Sequence, residues 1–318
     1  MDRGYIRNTC HRQGCSDDAR THVEAAARER FFRLSPASYF VGLHLALSDL
    51  YTPEVATLAD HPDNPPAPAF DHTKFDDAVK YMHGEGRFSV EMLTSKPIKA
   101  LMQETSRILL SGLDGAITAS TSATLKARLV DDVRLFSGFK TINEMEEAKG
   151  LLLDTKGNIK PFDTFLRDIR KIDNTYNANY LRAEYDLTIA SAQMAEQWNS
   201  LEEEDLIQHR TAGDEKVRAS HRILDGITLP KSDSYWDGGF PPLGYGCRCT
   251  AVAVSKRKNK PSDSDKAFDL LNKSFEEQGK SSEIFRYNPG KEELIFPSRH
   301  PYYKAGDKEE VSKLLSDE

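Results

Sequence analysis

Cysteine is scarce in this sequence: four residues in 318, set as two close pairs, Cys10/Cys15 and Cys247/Cys249. That is too few for a disulfide-stapled extracellular scaffold, and reduced thiols in a cytosol-like compartment are the simpler expectation. Long apolar runs are missing as well. The opening MDRGYIRNTC has none of the continuous apolar core of a secretory signal, and the best apolar stretch, residues 39–50, is short and contains His44 and Ser48. Positive charge is not in excess either. With 50 acidic and 43 basic side chains the net charge is -7, so no overall field gathers a phosphate backbone, and bulk nucleic-acid binding is disfavoured. The chain also lacks a G-x-S-x-G elbow, a G-x4-G-K-[ST] loop and an H-E-x-x-H helix, which removes the commonest self-announcing catalytic motifs.

What is present suits a folded chain of about two units. Residues 1–70 read as a poorly defined N-terminal extension, with a short amphipathic segment around 21–32. The prolines of Asp60-His-Pro-Asp-Asn-Pro-Pro-Ala-Pro68 then forbid a helix and mark a linker. Residues 71–200 turn helical. Phe75, Val79 and Met82 recur at helical spacing, and similar periods run through 98–110 and 125–136. The turn-forming Asp154-Thr-Lys-Gly-Asn158 precedes Pro161, which sits where a helix can begin without losing a needed N–H. Phe162, Phe165, Leu166, Ile169 and Ile172 share one face there, and Tyr176, Tyr180, Ala183, Leu187, Ala190 and Met194 extend the period into a long helix closing near Trp198. Intramolecular packing of that seam is favoured over an oligomeric coiled coil, because the repeat is short.

The densest chemistry lies in residues 201–255, which read as a small α+β module. Thr211 is placed to cap a helix, Asp214 and Glu215 to sit in its first turn, and Gly226 to close it in a left-handed conformation. On that wheel Val217, His221 and Leu224 share a face, and Asp214 pairs with Arg218 four residues on. Trp236, Pro241 and Pro242 supply rigid apolar surface beyond a turn at Asp237-Gly-Gly239, and residues 250–254 alternate as a strand. If that strand reaches back to Cys247, both thiols of Cys247-Arg248-Cys249 point to one face. Together with His221, and with His209 as a further candidate, they are the residues that would hold a structural zinc ion; buried thiols beside a hydrogen-bonded histidine are the competing reading. Cys10, His11 and Cys15 form a weaker second metal candidate. A hydrolase reading would make His221 the acid/base, with Asp214 or Asp225 orienting it and Arg218 stabilising negative charge.

Beyond residue 255 a basic, Ser- and Pro-containing stretch, 255–262, marks a second linker. The remainder of 256–318 has apolar positions too sparse for its own core, so it is expected as a peripheral tail that docks on something or stays mobile. The fold class expected is therefore α+β, mainly α-helical, with a long helix leading into the small module.

The order T-A-G-D-E-x-V-R-x-x-H-x-x-L-D-G over Thr211 to Gly226, followed by Trp236-Asp237, Pro241-Pro242 and Cys247-Arg248-Cys249, resembles the signature of the phage Mu F-like head-morphogenesis proteins. Phe136-Ser-Gly-Phe-Lys140, Pro161-Phe162 and Tyr180-Leu-Arg-Ala-Glu-Tyr185 are similar to that family's helical part, so the likeness spans roughly residues 70–255. Phe296-Pro-x-x-His-Pro-Tyr-Tyr303 resembles a tail element of a subset of such proteins. The resemblance implies a minor capsid protein of a tailed phage or prophage, made in the bacterial cytoplasm and acting in the head. Its partners would be portal, scaffold or major capsid protein, with contact to packaged DNA left open. It implies no catalytic mechanism. Thr211, Asp214, Arg218, His221, Asp225, Gly226, Trp236, Pro241, Pro242 and Arg248 are then folding and partner-recognition residues.

Overall fold

The structure is a computed structural model that describes residues 64–316 together with Leu43, Ala46, Leu47, Leu50 and Tyr51. The amphipathic segment around 21–32 and the Cys10/His11/Cys15 candidate lie outside the described residues. The chain divides into two compact units, Met1–Leu45 and Ala46–Glu318. Of the first, only Leu43 is described, a buried helical residue. The segments 71–200, 201–255 and 256–318 all fall within the second unit.

That second unit is mainly helical, with a small antiparallel sheet at one stage of the chain. The first helix described along its full length, α1 (His72–Glu85), starts where the Asp71 carboxylate accepts the Thr73 N–H and stops at Gly86, whose φ of 65° lets the chain leave in the left-handed conformation. Phe75, Ala78, Val79 and Met82 form its buried stripe. Next come α2 (Lys96–Ala116), with proline in its first turn, and α3 (Ala123–Gly150), capped by Ser122 Oγ accepting from the Leu125 N–H. The periodicity at 125–136 marks only the start of α3. From Phe136 to Met145 every side of this helix is buried, so the amphipathic pattern disappears where the helix runs through the interior.

The helix α4 (Phe162–Asp173) begins directly after Pro161, and a π-type turn, Asn174–Tyr180, feeds it without a break into α5 (Leu181–Ser200). The long helix expected to close near Trp198 is therefore α5 with that turn at its head. Three strands follow or interleave with short helices: β1 (Leu206–Arg210), α6 (Ala219–Arg222), β2 (Thr228–Pro230), α7 (Trp236–Gly239) and β3 (Thr250–Val254). Strand β1 is central, pairing Gln208 with Thr228 on one side and with Val252 on the other, both antiparallel.

The segment after residue 255 docks, and it does so in the interior rather than at the periphery. It contains α8 (Ser264–Gln278), α9 (Pro289–Glu292) and α10 (Lys308–Ser316), with 3-10 turns at Lys280–Phe285 and Pro301–Ala305. Phe275, Ile295, Phe296, Tyr302 and Val311 have no exposed surface. Phe296 lies flat on Phe136 of α3 with ring centroids 3.5 Å apart, and Asn143 Nδ2 donates to the Tyr302 carbonyl. Sparse apolar content thus marks a segment that completes another element's core instead of building its own.

Where the tail meets α3 and α5, the interior holds a connected polar cluster. Lys140 Nζ donates to Glu184 Oε2 at 2.5 Å and to the Tyr176 carbonyl at 2.7 Å. Glu184 Oε1 also accepts from the hydroxyls of Tyr51 and Tyr302. Burial pushes the Lys140 ammonium down, while the facing Glu184 carboxylate pulls it back up. His300 Nδ1 accepts the Tyr302 N–H, which leaves Nε2 as the protonated nitrogen, 3.1 Å from the Tyr245 hydroxyl.

Candidate functional site

The residues singled out in 201–255 converge, though not through the single helix expected from Thr211 to Gly226. Only Ala219–Arg222 is helical there. Gly213 takes a φ of +74°, which breaks the run, and Asp214 turns its carboxylate onto the Lys216 N–H. Thr211 is correspondingly not a helix cap. Its N–H and hydroxyl both donate to Asp225 Oδ1, at 2.8 and 3.0 Å, so the two ends of the loop are clasped together. Gly226 does adopt the left-handed conformation, φ +81°, and its N–H donates to the His209 carbonyl on β1.

The ion pair expected between Asp214 and Arg218 is replaced by another. With Asp214 outside any helix, the four-residue spacing no longer brings those side chains together, and Asp214 accepts from both terminal nitrogens of the Arg248 guanidinium instead. That guanidinium holds the Asp214 carboxyl below its ordinary value. Arg218 donates to the Tyr245 carbonyl at 2.5 Å, tying α6 to the loop that carries the cysteines. The stretch Asp237-Gly-Gly239, expected as a turn, belongs to the short helix α7, and fully buried Trp236 donates its indole N–H to the Pro230 carbonyl. Phe240, Pro241 and Pro242 lead from it, all buried, with the Pro241–Pro242 bond cis.

Cys247 and Cys249 lie just before β3, whose first residue, Thr250, is paired with Arg210 of β1. Their thiols and His221 come together at the heart of the module. One ligand atom from each lies within 4.8 Å of the others, and all three side chains are buried. His221 Nδ1 is 3.6 Å from both sulfur atoms, and its Nε2 is 3.0 Å from Gln278 Oε1. The Gln278 amide nitrogen donates to Ser274, so Oε1 is the acceptor and His221 carries its proton on Nε2. Of the two thiols, Cys247 ionises first. The hydrogen bond from Cys249 holds it well below the usual thiol value, with the His221 ring adding to the effect. Cys249 is pushed up by the same hydrogen bond and by burial. A cavity of about 60 Å³ runs along this loop, between Gly246, Cys247 and Cys249 on one side and Asp186, Gln193 and Met194 of α5 on the other.

His209 stands on β1 opposite Ala251, two residues beyond Cys249. It has no exposed surface, and burial pushes its imidazole down to about 4, with the Cys247 charge opposing that shift. The ring faces the Gly239 backbone without closing a hydrogen bond, and neither ring nitrogen has a partner among the described residues. His209 is not one of the three residues whose ligand atoms lie within 4.8 Å of one another. The acid/base set of a hydrolase is not drawn together either. The partners of His221 are Gln278 and the two thiols, while Asp225 bonds Thr211 and Asp214 bonds Arg248. Gln278 was invisible to motif reading, because it comes from α8 in the tail, and only the pairing of α6 with α8 brings it to the site.

A mainly helical scaffold thus delivers a His/Cys-x-Cys knot beside a three-stranded sheet, and part of the chain that carries it is similar to known proteins. Residues 157–252 match the family model described as Phage Mu protein F like protein, so that stretch of the chain is Mu F-like. The putative capsid assembly protein F of Escherichia phage Mu is 27% identical over 113 residues, 36% of this chain and 24% of that protein. The Mu-like prophage FluMu F protein of Haemophilus influenzae is 32% identical over 66 residues, 21% of this chain and 16% of its own length. An uncharacterized protein of Methanocaldococcus jannaschii is 32% identical over 115 residues, 36% of this chain and 15% of that protein. The match therefore spans about a quarter or less of each of these relatives. No solved structure matches the chain.

Proposed function

We propose that this protein is a structural component of a tailed-phage or prophage head, a minor capsid protein that acts during head assembly beside the portal. The observation that carries the reading is the coincidence of the Mu F-like match, 157–252, with the part of the chain in which the His/Cys-x-Cys knot, the Asp214–Arg248 pair and the Thr211–Asp225 clasp are concentrated. Two of the relatives are named as a putative capsid assembly protein and as a Mu-like prophage F protein, which points to construction of a particle rather than turnover of a substrate. No helix among the described residues is long and apolar enough to cross a membrane. On this reading the chain is made in the host cytoplasm and its partners are portal, scaffold or major capsid protein, met through surfaces of a prebuilt unit.

The test is purification of heads from a producing host. The protein is expected to copurify with portal-containing particles in few copies. Infectious particles forming at normal yield after deletion of the gene would overturn the reading.

A further inference from the structure

We propose that His221, Cys247 and Cys249, completed by His209, form a buried site for a tetrahedral, thiolate-preferring divalent cation of the zinc class. The inference is independent of the role in head assembly.

Geometry is the first support. With metal–sulfur bonds near 2.3 Å and metal–nitrogen bonds near 2.05 Å, a tetrahedral centre separates a nitrogen from a sulfur ligand by about 3.6 Å. His221 Nδ1 stands 3.6 Å from each of the two sulfur atoms. Both nitrogen–sulfur spacings of such a centre are thus already present, and all three atoms lie within 4.8 Å of one another. Cysteines two residues apart, immediately before a strand, are held to that spacing by the pairing of Thr250 and Ala251 with β1.

The imidazole is the second support. A histidine that binds a metal through one nitrogen generally anchors the other on a hydrogen-bond acceptor, which fixes tautomer and ring angle. Gln278 Oε1 is that acceptor for His221 Nε2, and Ser274 in turn fixes the orientation of the Gln278 amide. The lone pair of Nδ1 is therefore directed at the two thiols.

His209 is the third. A fully buried imidazole with no hydrogen-bond partner on either nitrogen among the described residues is costly to keep. Its place on β1 puts it opposite Ala251, two residues beyond Cys249. As fourth ligand its ring would gain a partner for one of those nitrogens. Charge also balances: a dication displaces one proton from each of the two thiols to solvent, and the two thiolates neutralise it, leaving no net charge in a buried place. The cavity beside Cys247 and Cys249 is the route in.

The experiment is elemental analysis of the full chain purified without added metal, followed by stripping and titration with cobalt(II). One ion per chain is expected, and the cobalt form is expected to show intense tetrahedral d–d absorption with a thiolate charge-transfer band. Cys247→Ser and Cys249→Ser are expected to lose the charge-transfer intensity. Because either variant can fail to fold, Gln278→Ala is the milder probe, expected to keep native circular dichroism while weakening cobalt binding by about 10–100-fold. Folded wild-type chain with no stoichiometric metal and no tetrahedral cobalt spectrum would overturn the site. His209→Ala with unchanged cobalt affinity and band shape would overturn the assignment of the fourth ligand.

Discussion

Asp132, in the middle of α3, accepts the backbone N–H of Phe296 at 2.9 Å through the same oxygen that accepts the N–H of Ile295. One carboxylate thereby fastens the tail to the helix at the centre of the unit. Burial lifts this carboxyl from 3.8 to about 7, against the pull of the two N–H groups. The folded chain consequently binds a proton between about pH 4 and 7 that the unfolded chain has already released. Its favourable contribution is complete below pH 4, declines as the pH rises through 7, and is flat beyond. Asp132→Asn keeps an acceptor for both N–H groups and removes the titration. Its stability relative to wild type is expected to rise through that window by roughly 1.4 kcal/mol per pH unit. Urea denaturation of both proteins from pH 4 to 9 measures the difference, and a pH-independent gap would show the carboxyl to be ordinary.

Asp132→Ala tests the fastening itself. It leaves the two buried N–H groups of Ile295 and Phe296 without this acceptor, an expected loss of about 2–6 kcal/mol at 1–3 kcal/mol for each group. Amide exchange at 295 and 296 should accelerate more than exchange in α2. Uniform acceleration would mean that the tail is held elsewhere.

Lys140 and Glu184 are fully buried partners. Removing one member strands the other charge, so Lys140→Met alone is expected to cost about 3–5 kcal/mol. Adding Glu184→Gln, which still accepts from Tyr51 and Tyr302, is expected to recover much of that loss. Denaturation midpoints of the two singles and the double give the coupling, and simple additivity would refute an ion pair as the source of the cost.

Gly290 at the start of α9 is pressed against Trp198 of α5, and a Cβ added there would fall inside the indole's van der Waals surface, against its Cβ, Cγ and Cδ1. Gly290→Ala is therefore expected to destabilise by about 1–3 kcal/mol and to shift the tryptophan fluorescence. An unperturbed spectrum at wild-type stability would mean that α9 moves aside freely.

The Arg248–Asp214 pair joins the cysteine loop to the start of the signature stretch, with Arg248 largely covered and Asp214 half open. Replacing Arg248 by Lys keeps the charge and loses the two-pronged grip. A double-mutant cycle with Asp214→Asn is expected to show coupling at low salt that shrinks in 1 M salt, where screening acts within about 3 Å. Coupling of the same size at both would place the pair deeper than the structure does.

Much of the architecture is legible in the residues. The 3.6-residue stripes of α1, α2 and α4 and the alternation of β3 announce themselves because each has one solvent face. The family-bearing stretch is legible too, since Gly226, Trp236 and the Cys-x-Cys pair are residue types with few other uses. The buried half of α3 is not legible, because a helix surrounded on all sides has no period to detect. The helix drawn from Thr211 to Gly226 fails on one residue: Gly213 in the left-handed region ends what the charge pattern at 214, 215 and 218 suggested. Arg248 as the partner of Asp214, and Gln278 as the partner of His221, arise from contacts far apart in sequence. Local spacing carries no trace of them.

The docking of residues 287–311 has a temporal side. A chain that emerges N-terminal end first presents α1 to α5 with Phe136 and Asp132 uncovered, and the side chains that seal them, Phe296, Tyr302 and Val311, arrive last. Until residues 295–311 dock, those side chains of α3 lack the cover they have in the folded chain. A surface that depends on this arrangement is therefore complete only once the last of these residues has docked.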